Sequence, residues 1–376
     1  MRKLIKKIFY FLIGLVPKNK NKIVLESHPD FTDCAKAMYD YLKINGKRKY
    51  KFVWLVDKPK KYNILKLENT IFIDVNKPVS IKYLYHIATS KYLMFGNREI
   101  RWVDLNKQIV ISLTHGLPFK KSKGLLPADH TFNYLLSSSD EISPYMADEF
   151  ITTKDKCIVT GLPRNDILFQ KNKIVESLIK KYNKFIIWLP TYKKHKNVNI
   201  TDSQKYKDKV IPLFTEEELS ELNKELQKSN TLLILKFHPA QDLTTLKNIK
   251  LTNIYLWKNE DLEKNNINLY SLLAYSDALI TDYSSVGADY LLTDKPLAYI
   301  RDDMDEYSEK RGFCFDNIDK MSPGHKITNK EDFIKFINDI IKEKDKYKNE
   351  RKKIKDFYHK YQKGNSCKIL SDYFNL

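Results

Sequence analysis

The chain is poor in the residues that punctuate or cross-link a fold: 10 glycines, 13 prolines and 4 cysteines in 376 residues. With so little Gly and Pro and 42% hydrophobic residues, a collagen-like repeat, a low-complexity linker and a disordered tail are excluded. Cys34, Cys157, Cys314 and Cys367 stand far apart with no CxxC and no Cys/His ligand spacing. Neither a zinc site nor a disulfide framework is expected, and a reducing compartment fits best. No GxGxxG follows the first strand-like run, which removes the main support for a dinucleotide oxidoreductase. Acids are also short, 47 against 66 Lys+Arg, for a net charge of +19. Such a charge favours anionic partners, but it does not choose among nucleic acid, lipid head groups and phosphorylated substrates, and part of it is ordinary solvated lysine surface.

The apolar run Ile8–Val16, broken only by Gly14, falls short of the about 20 residues a membrane-spanning helix needs. Around it lie Arg2, Lys3, Lys6, Lys7, Lys18, Lys20 and Lys22 without an acid, and no small-residue cleavage site follows. Residues 1–20 are expected to form an interfacial helix, with apolar side chains dipping into lipid and lysines meeting anionic head groups. A first helix packed on the following domain is the plainer alternative.

Further along, apolar runs alternate with helical patterns. KIVLES (22–27), KFVWLVD (51–57), TIFIDV (70–75), KYLMFG (91–96) and QIVISLTHG (108–116) read as strands, with helices through Ala35, Met38 and Leu42 and around residues 81–89. The second half repeats the theme in FIIWLPT (185–191), TLLILKFHP (231–239), NIYLW (253–257), DALITDYSS (277–285) and PLAYI (296–300). Short buried strands alternating with helices predict α/β architecture with parallel sheets, here two Rossmann-like domains facing a cleft. We place the domains at 21–170 and 171–376, with the boundary inside the lysine-rich segment 168–182 and a return of the final helices left open.

In open α/β sheets ligands bind beyond the carboxyl ends of the strands, so the polar residues after each run are the candidates. After IVISL come Thr114-His115-Gly116, then Lys120 and Lys121. His115 is a candidate proton acceptor, Gly116 permits close backbone approach, and Lys120 offers charge for phosphate. A histidine that merely caps a turn is the competing role. After TLLIL, Lys236 and His238 precede Pro239, which holds His238 extended as a candidate phosphoryl ligand. Thr281, Asp282, Tyr283, Ser284 and Ser285 lead into a helix carrying Asp289, a natural diphosphate cradle, with N-capping by either serine compatible with it. Arg164 and the pair Pro190-Thr191 are candidates to close on a nucleotide, although an ion pair of Arg164 with Asp166 or a neighbouring carboxylate is slightly preferred. The acids Asp302, Asp303, Asp305 and Glu306 read as a solvated turn rather than a metal site.

In order and spacing these segments resemble the CDP-glycerol glycerophosphotransferase family, which includes teichoic acid primases and polymerases and related capsule enzymes. THGLPFKK resembles the family's HGTPLK, GLPRND its GxPRND, WLPTYK its APTWR, KFHP its RxHP and LITDYSSVGADY its ITDYSSxxxDY. Arg311 lies in RGFCFD, similar to RGFYFD, and the likeness covers nearly all of residues 20–370. Lys236 stands where the family has arginine, keeping the charge without the bidentate fork.

The resemblance implies a GT-B-type fold with an acceptor domain followed by a CDP-binding domain, at the cytoplasmic face of the membrane. It implies that His115 and His238 are the essential pair and that residues 281–285 hold the donor. The implied reaction passes glycerol phosphate, or another polyol phosphate, from its CDP ester to a hydroxyl of a lipid-linked or growing glycan, with no cofactor, metal or nucleic acid. A GT-B glycosyltransferase using a nucleotide sugar, and a non-enzymatic binder of anionic lipid or nucleic acid, are the alternatives.

Overall fold

The computed structural model describes residues 13–121, 131–190, 211–237 and 250–376. It divides into two compact units, one of residues 1–117, 124–167 and 358–376, the other of residues 118–123 and 168–357. Relative to the partition at 170, residues 118–123 therefore join the second unit and the last segment returns to the first.

The first unit is a seven-stranded sheet of β1 (Asn19–Glu26), β2 (Lys51–Val56), β3 (Thr70–Asp74), β4 (Ser90–Phe95), β5 (Ile109–Ser112), β6 (Tyr134–Ser137) and β7 (Cys157–Val159). Every pairing is parallel, in the order β3-β2-β1-β4-β5-β6-β7. Helices cover both faces of such a sheet, which is why β2 reads as an unbroken apolar run, with Phe52 through Val56 all buried. The helix Asp33–Asn45 turns Cys34, Ala35, Met38 and Leu42 inward at helical spacing. Helix Ser366–Phe374 packs beside it, with Phe374 edge-on to Tyr134 at 5.0 Å. The carboxyl ends of β1 and β2 and the turn after β4 are tied together by Arg98. It donates to Glu26 (2.9 Å), Asp57 (2.6 Å) and Asp30 (3.2 Å), while Glu26 also accepts the backbone N–H groups of Gly96, Asn97 and Arg98.

The second unit contains β8 (Lys184–Trp188), β9 (Thr231–Lys236), β10 (Ile254–Trp257), β11 (Ala278–Thr281), β12 (Leu297–Ile300) and β13 (His325–Ile327), all parallel in the order β10-β9-β8-β11-β12-β13. Its core joins Trp188, Phe214 and Phe333 to Leu219, Leu222 and Leu226 of the helix Glu216–Lys228. That helix starts with a reciprocal capping box between Thr215 and Glu218. Each fully buried large apolar side chain here contributes roughly 1.5–3 kcal/mol.

The strand order reverses between β1 and β4 in one unit and between β8 and β11 in the other. Polar residues just beyond these points occupy the positions where doubly wound sheets bind ligands. The expected interfacial helix falls mostly on residues 1–12, outside the described residues; the turn Ile13–Leu15 is fixed by Lys18 and Lys107, which donate to the carbonyls of Ile13 and Gly14. Among the described residues no helix is long and apolar enough to cross a membrane.

Candidate active site

In the first unit, the chain takes an unusual backbone conformation two residues past the end of β5. Thr114 sits at φ +53, a region that costs a β-branched residue roughly 1–3 kcal/mol, and its hydroxyl donates to the Gly116 carbonyl (2.9 Å), holding the turn. The turn presents His115 with its side chain 59% exposed. The ring is nevertheless fixed, because its Nδ1 lies 2.7 Å from Oδ2 of Asp33, at the start of helix Asp33–Asn45. Arg164 completes the group, its Nη1 donating to both Asp33 oxygens (3.0 and 3.3 Å) and to the His115 carbonyl (2.6 Å). Burial alone would raise the Asp33 carboxyl, but the Arg164 guanidinium and the His115 ring together hold it well below the usual carboxylate range.

Arg164 therefore forms an ion pair, but not with Asp166. The Asp166 carboxylate instead accepts the N–H groups of Ser366 and Cys367 (both 2.8 Å), so GLPRND binds helix Ser366–Phe374 through one residue and orders His115 through another. Gly161 has φ +75 and a Cβ there would collide with Ser366 Oγ, which accounts for glycine at the head of this segment.

In the second unit the candidates gather beyond β8, β9 and β11, three adjacent strands at the reversal point. Thr281 donates to the Leu189 carbonyl (3.2 Å), joining the TDYSS segment to Pro190 and to the end of β8. Lys236 ends β9, where burial pushes its ammonium down against the opposing effect of Glu260. Within TDYSS the side chains divide in two. Thr281, Asp282 and Tyr283 are buried, whereas Ser284 and Ser285 are partly exposed and Ser285 makes no capping bond to the helix Val286–Tyr290 that it opens. Tyr283 donates to Asp303 (2.9 Å), stacks on Tyr307 (4.1 Å) and lies under the Arg301 guanidinium (4.7 Å). Asp289 is likewise internal, accepting from the Tyr270 hydroxyl (2.6 Å).

Lys120 enters this unit through a short antiparallel ribbon in which Lys120 pairs with Phe313, the Lys121 N–H bonds the Gly312 carbonyl (3.2 Å) and the Cys314 N–H bonds the Phe119 carbonyl (3.2 Å). Arg311 donates to the Lys121 carbonyl (3.2 Å). Burial depresses the Lys120 ammonium, with Asp282 opposing that effect and Arg311 adding to it. Two cations and Asp282 thus meet beside the TDYSS segment.

The acidic turn matches its sequence reading only in part. Asp302 and Asp303 are buried, Asp303 accepting from the Tyr283 hydroxyl, whereas Asp305 is exposed. Among the described residues no group of His, Cys, Asp or Glu could hold a metal ion. His238 and Thr191 lie outside the described residues. Sequence reasoning missed Asp33 and Arg301. An acid opening a helix signals only capping, and an arginine after a strand signals only charge; three-dimensional proximity alone shows what they touch.

The chain is similar to the teichoic acid poly(glycerol phosphate) polymerase of Bacillus spizizenii, with 29% identity over 97% of this chain and 94% of the relative. It is 25% identical to the teichoic acid glycerol-phosphate transferase of Staphylococcus aureus over 92% and 91% of the two chains. The fold matches that of the wall teichoic acid polymerase TagF with a TM-score of 0.71 at 20% identity, over 98% of this chain and 92% of the other. The family model for CDP-glycerol:poly(glycerophosphate) glycerophosphotransferases matches residues 8–374, and the chain belongs to that family.

Proposed function

We propose that this enzyme transfers glycerol phosphate from CDP-glycerol to a hydroxyl of a lipid-linked or growing teichoic acid, or a related glycan, and releases CMP. The observation that carries the reading is His115, exposed at the end of β5 with its Nδ1 against Asp33, so that Nε2 is left to a substrate. The acceptor hydroxyl gives its proton to Nε2 as its oxygen bonds to the β-phosphorus; the bond from that phosphorus to the bridging oxygen breaks, and CMP leaves with the electron pair. Ser284, Ser285, Lys120, Lys236 and Arg311 supply hydroxyls and positive charge to the diphosphate, so that on this reading turnover is expected to need no metal. Thr281, Asp282, Tyr283 and Asp289 brace that surface from inside. The carry-over of an essential role to His238 rests on the KFHP motif. The basic, apolar segment 1–20 would hold the enzyme at an anionic membrane surface where a lipid-linked acceptor resides.

The test is nucleotide release by purified protein given detergent-solubilised lipid-linked acceptor with CDP-glycerol, CDP-ribitol or nucleotide sugars in turn. Acceptor-dependent CMP from one CDP-polyol supports the reading and names the donor; a nucleoside diphosphate released from a sugar donor replaces it with glycosyl transfer. Lys120→Met keeps the backbone ribbon but removes the ammonium. It is expected to weaken CDP-glycerol binding about 10- to 100-fold, the worth of one charge-assisted hydrogen bond, in a calorimetric titration. Unchanged affinity would remove Lys120 from the donor site.

A further inference from the structure

We propose that Asp33 and Arg164 are positioning residues that hold His115 in the tautomer protonated on Nδ1, so that Nε2 is the basic nitrogen. The inference deepens the role assigned above to His115 and rests on it. Asp33 Oδ2 is 2.7 Å from Nδ1, and an ionised carboxylate can only accept, so the ring nitrogen facing it must carry hydrogen. A neutral imidazole has one N–H, and placing it on Nδ1 leaves the Nε2 lone pair to receive a proton.

The carboxylate is itself constrained. Its side chain is 9% exposed, Oδ1 accepts from the Cys34 N–H (2.9 Å), and both oxygens accept from Arg164. The ionised form of Asp33 is thus compensated without the histidine. A buried carboxylate lacking Arg164 would tend to take up a proton and could then donate to Nδ1, leaving the hydrogen on Nε2 and closing the base to its substrate.

Arg164 also fixes the backbone of the residue it serves. The same Nη1 that meets Asp33 donates to the His115 carbonyl at 2.6 Å, and the Arg164 side chain is only 5% exposed. Imidazole, carboxylate and main chain are therefore referenced to a single guanidinium nitrogen. The three residues come from β5's exit turn, the first turn of helix Asp33–Asn45 and the segment after β7, and all belong to the first unit. This assigns to Arg164 a task different from contact with the nucleotide.

The experiment uses the full chain with ¹⁵N-labelled histidine. Two-bond proton–nitrogen spectra of the wild-type enzyme at neutral pH, with the His115 resonances assigned by their absence in His115→Ala, are expected to show a protonated Nδ1 and an unprotonated Nε2. A ring protonated on Nε2 overturns the proposal without the need for a position-33 variant to fold.

Asp33→Asn provides the second reading. An amide can donate to Nδ1, so it favours the opposite tautomer in nearly the same shape, and kcat is expected to fall about 10²- to 10⁴-fold with the Kd for CDP-glycerol unchanged. If kcat stays within twofold, or the His115 nitrogen signals match wild type, Asp33 does not set the tautomer. If wild type releases no CMP from any CDP-polyol while its His115 shows the Nδ1–H form, the proposed reaction fails and the positioning role stands.

Discussion

Replacing His115 with alanine is expected to abolish acceptor-dependent CMP release while CDP-glycerol still binds. General-base catalysis by a placed imidazole is worth about 10²- to 10⁴-fold. The ring is removable without collapse because it is 59% exposed and belongs to no apolar core; the partners it leaves, Asp33 and Arg164, still pair with each other. The residues proposed to hold the diphosphate lie in the other unit, so the donor Kd should match wild type in a titration with CDP-glycerol. Turnover at the wild-type rate would dismiss His115 as the base. Loss of both turnover and donor binding would mean that the substitution acts through the donor surface instead.

Replacing Arg98 with alanine should produce the largest loss of stability, without touching a residue assigned to chemistry. Glu26 is fully buried and Asp30 nearly so, and both rely on the Arg98 guanidinium as counter-charge. Removing one partner of a buried pair typically costs 3–5 kcal/mol, and because Arg98 itself is 31% exposed the lower end, about 3 kcal/mol, is expected. For a unit of this size that is roughly 6–12 °C in the midpoint of thermal unfolding. Glu26→Gln in the same chain should recover part of the loss, since an amide needs no counter-charge. A change under about 0.5 kcal/mol, typical of a neutral surface substitution, would show that water replaces the guanidinium without penalty.

The legible parts of this fold were those with enough apolar residues to make a pattern. KFVWLV and TLLILK announce β2 and β9 because buried parallel strands are apolar on both faces. YLLS, CIV and HKI, which form β6, β7 and β13, are too short for periodicity to separate strand from loop. The same limit applies at the site. His115, Lys236 and Thr281 were visible because each ends or follows a readable strand. Asp33 was invisible because its partner is 82 positions away and its own setting explains an acid well enough. Arg164 was seen as an ion-pairing residue with its partner left open between Asp166 and a neighbouring carboxylate; that carboxylate is Asp33, while Asp166 faces helix Ser366–Phe374. Asp303 read as exposed because nothing nearby in sequence announces that Tyr283, 20 positions away, donates to its carboxylate.

The return of residues 358–376 to the first unit bears on how the protein is made. A ribosome completes Ile167 about 190 residues before it begins the segment that this unit still lacks, an interval of roughly 10–40 s at ordinary elongation rates. Throughout that interval the Asp166 carboxylate has not met the N–H groups of Ser366 and Cys367, and Phe374 has not covered Tyr134. The unit bearing His115 therefore completes its contacts last although its strands emerge first.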